Sequence, residues 1–99
     1  MSYYIEYSPD AEDHLRAFSV REQKIILDGV DAQLTYQPTI ETRNRKPMRP
    51  NPVSPWELRI GDYRVYYDVE QEPERVVYIR AVGLKVRNKV RIGNEVIDL

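Results

Sequence analysis

The stretch WELRIGDYRVYYDV, residues 56–69, carries two arginines in runs that alternate apolar and polar residues around a Gly-Asp pair. If Gly61 and Asp62 form a two-residue turn, Ile60 sits opposite Tyr63 and Arg59 faces Arg64. Side chains then sort with period two. Trp56, Leu58, Ile60, Tyr63, Val65 and Tyr67 share one face, and Glu57, Arg59, Arg64 and Tyr66 share the other. A third strand placed with Val65 opposite Ile79 brings Arg80 beside Arg64 and Tyr78 beside Tyr66. The spacing therefore predicts Arg59, Arg64 and Arg80 in a row across three strands. Like charges directly opposite one another destabilise a sheet. A phosphate held between planar guanidinium forks removes that repulsion. The competing reading is a solvated face on which Glu57 and Asp68 neutralise part of the row.

More cations lie nearby in sequence. Lys85, Arg87, Lys89 and Arg91 alternate, so an extended segment puts all four on one side. Together with Arg43, Arg45, Lys46 and Arg49 they are expected to frame a basic groove. Tyr66 and Tyr78 offer rings on which bases stack, a combination found at single-stranded nucleic-acid sites. Tyrosines in a sheet also serve simply as packing residues. The chain has no cysteine, which excludes disulfides, thiolate catalysis and cysteine-based metal sites. Its one histidine, His14, has no second histidine to form an acid–base pair and reads as a surface residue. No metal-ligand cluster, glycine-rich phosphate loop or serine-hydrolase motif is present, so no cofactor is expected.

The elements that must position these residues follow from turn and capping signals. Residues 3–7, YYIEY, form a β-prone run. Ser8-Pro9 opens a helix with Ala11, Leu15 and Phe18 on one stripe. Ser19 and Glu22 make a capping box, so a second helix starts at once. It carries Ile26, Val30 and Leu34 inward and runs to about Tyr36, before Gln37-Pro38. Gly29 inside this helix costs about 1 kcal/mol relative to alanine. Residues 37–55 hold five prolines and read as a long extended connection. After the hairpin, residues 74–82 give a third strand, 86–93 an irregular or edge strand, and 94–99 a further short one. The expected architecture is α+β in the order β-α-α-β-β-β, with a helical hairpin on one face of a mostly antiparallel sheet.

Bulk properties agree with one small domain over residues 1–99. There is no run of 18 apolar residues and no visible signal peptide, so a cytoplasmic protein with no membrane partner is expected. The net charge of −1 conceals an asymmetry. Residues 1–42 hold eight acids and three bases, a charge of −5, whereas residues 43–99 hold twelve bases and eight acids, +4. Two segments, RNRKPMRP (43–50) and RAVGLKVRNKVR (80–91), are basic without any acid, which points to a polyanion on one side.

The chain resembles the RelE/ParE superfamily of type II toxin–antitoxin toxins over nearly its whole length. The resemblance rests on the opening strand, the capped helical hairpin, the pattern L-R-x-G-D-Y-R-V-x-Y at residues 58–67, and the strand ending in Val82-Gly83 before basic residues. Similarity to the RelE-like branch implies a small metal-independent ribonuclease that cleaves mRNA on the ribosome and so inhibits translation. The arginine of the D-Y-R triplet, here Arg64, is then the residue that contacts the scissile phosphate. The basic residue after V-G is Lys85, with Arg87 close by. Arg59, Arg80, Arg45, Lys46, Lys89 and Arg91, together with Tyr66 and Tyr78, are the expected RNA-binding residues. The chain departs from the pattern in two places. Pro55 and Glu57 stand where lysines often precede L-R, and Arg91 stands about where a C-terminal tyrosine often transfers a proton.

The chemistry such a site supports is attack of a ribose 2′-OH on the adjacent phosphate. It needs in-line positioning, positive charge near phosphorus and proton transfer, for which Glu57, Tyr66 and Lys85 are the candidates. Two alternatives stand beside it: a ParE-like toxin acting on DNA gyrase without nuclease activity, and an inactive homologue that keeps only antitoxin binding. Every toxin reading implies a cognate antitoxin as partner, laying a helix or extended segment over the basic groove or displacing the C-terminal part.

Overall fold

A computed structural model describes residues 2–98, so Met1 and Leu99, which belong to the expected domain and last strand, lie outside it. β1 (Tyr4–Tyr7) leads into α1 (Pro9–Arg16) and α2 (Val20–Leu34). Ser8 caps α1 by accepting from the Ala11 N–H at 3.1 Å. Ser19 and Glu22 close the expected capping box, with both bonds at 3.1 Å. The second helix stops at Leu34, two residues earlier than expected, and the Thr35 hydroxyl donates back to the Asp31 carbonyl at 2.6 Å.

Six more strands follow: β2 (Arg45–Pro47), β3 (Trp56–Ile60), β4 (Tyr63–Glu70), β5 (Val76–Val86), β6 (Lys89–Ile92) and β7 (Glu95–Ile97). Among the described residues they form one sheet in the order β2-β3-β4-β5-β6-β7, antiparallel throughout, with β1 added parallel to β5. The α+β arrangement expected from the sequence is the one observed. Two features differ. The proline-rich connection contributes the edge strand β2; past Pro47 the Met48 N–H still donates to the Pro55 carbonyl at 2.8 Å, but Pro55 has no N–H to return and the ladder ends. The third strand of the reading, expected over residues 74–82, is β5 and runs on to Val86, so Lys85 lies within it.

The β3–β4 register is the one that alternation required: Trp56 pairs with Tyr67, Leu58 with Val65 and Arg59 with Arg64. Gly61, at φ +58, occupies the first central position of the turn, where only glycine is unstrained. The inward face packs on the helices through Ile26, Val30, Leu34, Leu58, Val65, Tyr67, Val77, Ile79 and Val82. Gly29 explains itself here, because a Cβ there would stand 2.5 Å from the Ile60 Cδ1; its absence lets α2 lie tight on the hairpin.

The expected pairing of the third strand is corrected. Val65 lies opposite Val82, not Ile79, and a bulge interrupts the β4–β5 ladder between Tyr66 and Tyr67. Arg64 therefore faces Gly83, and Tyr66 faces Ala81. Arg80 is the residue the bulge leaves without a partner on β4, three positions along β5 from Arg64's partner, or about 10 Å at strand rise.

Candidate nucleic-acid interface

Alternation places Glu57, Arg59, Arg64, Tyr66, Ala81, Gly83 and Lys85 on the sheet face away from the helices. Arg64 is the centre of this face. It is only 7% exposed, and its Nη1 donates to the carbonyls of Gly61 at 2.8 Å and Tyr63 at 3.0 Å. These bonds hold the guanidinium against the β3–β4 turn. Among the described residues it makes no ion pair. Gly83 opposite it is required by packing: a Cβ would stand 2.6 Å from the Arg91 carbonyl oxygen and 2.8 Å from Val90 Cγ1. The Lys85 N–H donates to the Asp62 carbonyl at 2.8 Å, fastening β5 to the same turn.

A cleft of about 130 Å³ opens beside Arg64, lined by Arg59, Lys85, Asn88 and Lys89 together with Glu57 and Val90. Among the described residues Glu57 is the one carboxylate in this lining. It is buried, and its Oε1 accepts from Arg59 Nε at 2.8 Å. Four cations against one carboxylate leave net positive charge around a buried guanidinium that already spends one nitrogen on backbone. Such a geometry suits a phosphate-class oxyanion.

A wider groove of about 670 Å³ shares Glu57 and Arg59 with the cleft and runs between residues 46–52 and the Ile97–Asp98 end. Its loop wall is built around Asn51, whose Nδ2 donates to the Arg49 and Ser54 carbonyls and whose Oδ1 accepts from the Val53 and Ser54 N–H groups. Beyond its prolines nothing in the sequence announces this loop's shape, because an asparagine in a loop signals local bonding without saying to which residues. Asn88, in the cleft, carried no signal either. Lys46 lines the groove, with Glu41 at 3.9 Å.

Several expected members lie elsewhere. Arg80 pairs with Asp68 at 3.4 Å and lies over the Tyr78 ring at 5.6 Å, at the far end of the same face. The Tyr78 hydroxyl donates to Glu70 at 3.3 Å, and burial and then Glu70 raise its pKa. Between these residues and Arg64 the face is filled by a small second core of Tyr66, Ala81, Val90 and Ile92 under Met48, Val53 and Ile97. Tyr66 is fully buried and offers no ring for stacking. Among the described residues its hydroxyl has no partner of hydrogen-bonding geometry; burial, then the neighbouring Glu57 charge, push its pKa well above the ordinary value. Arg45 is also buried, on the helix side, where it donates to the carbonyl of Ile40 at 2.9 Å and to Gln33 at 2.8 and 3.1 Å. It fastens β2 to the end of α2.

The four alternating cations do not share a side, because the chain turns at Arg87-Asn88. Lys85 pairs with Val90 and faces the cleft; Arg91 pairs with Leu84 and faces the other way. Arg87 sits in the turn, outside the cleft lining, and Lys89 borders both sides. His14 is half-buried, not a surface group: its Nδ1 accepts from the Val82 N–H at 3.2 Å and so ties α1 to β5.

The order of elements and the sheet topology define a RelE-like fold. The chain is similar to one in the crystal structure of the toxin–antitoxin complex RelBE2 from Mycobacterium tuberculosis, with a TM-score of 0.73 and 22% identity over 86% of this chain and all of that one. No protein-family model and no curated protein matches this chain. No helix among the described residues is long and apolar enough to cross a membrane.

Proposed function

We propose that this chain is the toxin of a type II toxin–antitoxin pair and that it cleaves mRNA on the ribosome. The fold it shares with a member of the RelBE2 complex supports the toxin role and a cognate antitoxin as partner. The observation that carries the nuclease reading is Arg64: a buried guanidinium with no ion-pair partner among the described residues, opening on a cleft lined by Arg59, Lys85 and Lys89.

In this reading a phosphodiester enters the cleft and Arg64 takes its non-bridging oxygens. The guanidinium then stabilises the charge that builds up as the ribose 2′-oxygen attacks phosphorus. Glu57 borders both cleft and groove and accepts the 2′-OH proton once Arg59 turns to the substrate. Lys85, as an ammonium, gives a proton to the departing 5′-oxygen. The products are a 2′,3′-cyclic phosphate and a 5′-OH. Tyr66, whose hydroxyl is sealed beneath the loop, takes no part.

The engagement of Glu57 by Arg59 favours a second reading, a ParE-like toxin that binds DNA gyrase and does no RNA chemistry. The test is cleavage of mRNA on translating ribosomes with the 5′-ends mapped, run beside a gyrase supercoiling assay. Arg64→Ala is expected to lower cleavage by about 10²–10³-fold, the scale of losing one charge-stabilising group. A folded Arg64→Ala protein that cleaves as well as wild type would end the assignment. Intact mRNA with arrested supercoiling would decide for the second reading.

A further inference from the structure

The helical layer covers the sheet only in part. At its edge Glu22 accepts from the Tyr63 hydroxyl at 3.0 Å, and Tyr63 pairs with Leu84. Beyond that point the same face of β5, β6 and β7 continues without a helix over it among the described residues. Val86 and Val96 stand 47% and 61% exposed there. They line a groove with Arg87, Asn88, Lys89 and Arg91, and among the described residues no carboxylate contributes to that lining. Glu22 already bonds Tyr63 and Ser19, and Asp98 lies 4.0 Å from Lys89. Arg87 adds an independent sign. It holds φ +60, a left-handed conformation that glycine adopts freely and arginine does not. A side chain kept where glycine is the relaxed choice points to a use for its charge outside the fold.

We infer that this bare end of the sheet is the docking surface for an acidic peptide segment of a partner protein, one whose aliphatic side chains cover Val86 and Val96 while its carboxylates meet Arg87 and Arg91. Aliphatic side chains at the centre favour a protein over a nucleic acid, since a polynucleotide backbone gains nothing from exposed valines. Charge complementarity fixes the sign of the partner. The surface lies on the opposite side of the sheet from Arg64, and it shares with the Arg64 cleft only Asn88 and Lys89, at the turn where the two sides meet. The inference rests on the toxin reading only for identifying the partner as an antitoxin; the surface and its chemistry stand on geometry.

The test uses the full chain and three soluble peptides of equal length, composed of leucine with glutamate, leucine with lysine, and serine with glutamate. Only the first is expected to bind, shifting backbone amide resonances over residues 86–92 and 95–97. Val96→Asp and Arg91→Glu are expected to weaken it at least tenfold, and Arg64→Ala to leave it unchanged. Arg87→Gly separates docking from folding: it should raise the melting temperature, by relieving the backbone, and lower peptide affinity. No binding, equal binding of the serine–glutamate peptide, or shifts centred on the Arg64 cleft would overturn the inference. So would a single-stranded RNA that displaces the peptide from this face. Peptide binding without mRNA cleavage would count against the nuclease reading and leave the surface intact.

Discussion

Gly83→Ala is the sharpest test of how the cleft is built. A methyl group at this position would meet three atoms of β6 at once: the Arg91 carbonyl oxygen at 2.6 Å, Val90 Cγ1 at 2.8 Å and Ile92 Cγ1 at 2.9 Å. The carbonyl belongs to the backbone, and Val90 and Ile92 are buried, so none of the three is a free side-chain tip. Overpacking of this kind costs about 1–3 kcal/mol, and rigid neighbours place it near the upper end. Replacing a strand glycine recovers roughly 0.5–1 kcal/mol of chain entropy. The net loss is then about 2 kcal/mol, or roughly 8–16 °C in melting temperature at about 4–8 °C per kcal/mol for a domain of this size. Gly29→Ala is the internal comparison. Its short contact is to the far end of the Ile60 side chain, and alanine regains about 1 kcal/mol of helix propensity, so its loss should be clearly smaller. Thermal denaturation followed by circular dichroism reads both. A Gly83→Ala protein melting within about 3 °C of wild type, or above the Gly29→Ala protein, would refute the packing argument and with it the claim that glycine lets β6 close over the Arg64 cleft.

Other consequences follow from individual residues. Arg45→Met should lower stability by about 2 kcal/mol, because the Gln33 and Ile40 carbonyls lose a buried charged donor; urea denaturation measures it, and unchanged RNA affinity in the folded variant is the expected accompaniment. Tyr66→Phe removes a buried hydroxyl that has no partner among the described residues, so stability should hold or rise slightly; a tenfold fall in mRNA cleavage would mean that the hydroxyl takes part in proton transfer after all. Burial raises the pKa of Tyr7, Tyr66 and Tyr67 above the ordinary 10.0. Because the folded values exceed the unfolded ones, their contribution is complete below pH about 10 and is lost as the pH climbs further. Phenolate absorbance of these three should therefore appear together with unfolding, and ionisation in a still-folded chain would contradict the burial assigned to them.

Local chemistry made part of this protein legible from its sequence. Ser8-Pro9 and the Ser19–Glu22 box mark where the helices begin because capping is a contact between residues three apart. The β3–β4 register follows from Gly61-Asp62 and strict alternation, since slipping by one residue would turn Leu58 and Val65 to solvent. That was enough to put Arg59 and Arg64 face to face. The tertiary structure decided what stands beside them. The partner of β4 is reached through a turn that does not set register, and a bulge absorbs one residue, so Gly83 and not Arg80 comes opposite Arg64. Arg45 and Lys46 are neighbours in a basic segment, yet strand alternation buries the first against α2 and leaves the second in the groove. Lys85 and Arg91 are parted by a turn at Arg87-Asn88 that alternation alone does not announce. Spacing along a strand decides which side a residue takes relative to its neighbours in that strand; only the pairing of strands distant in sequence decides which charges meet.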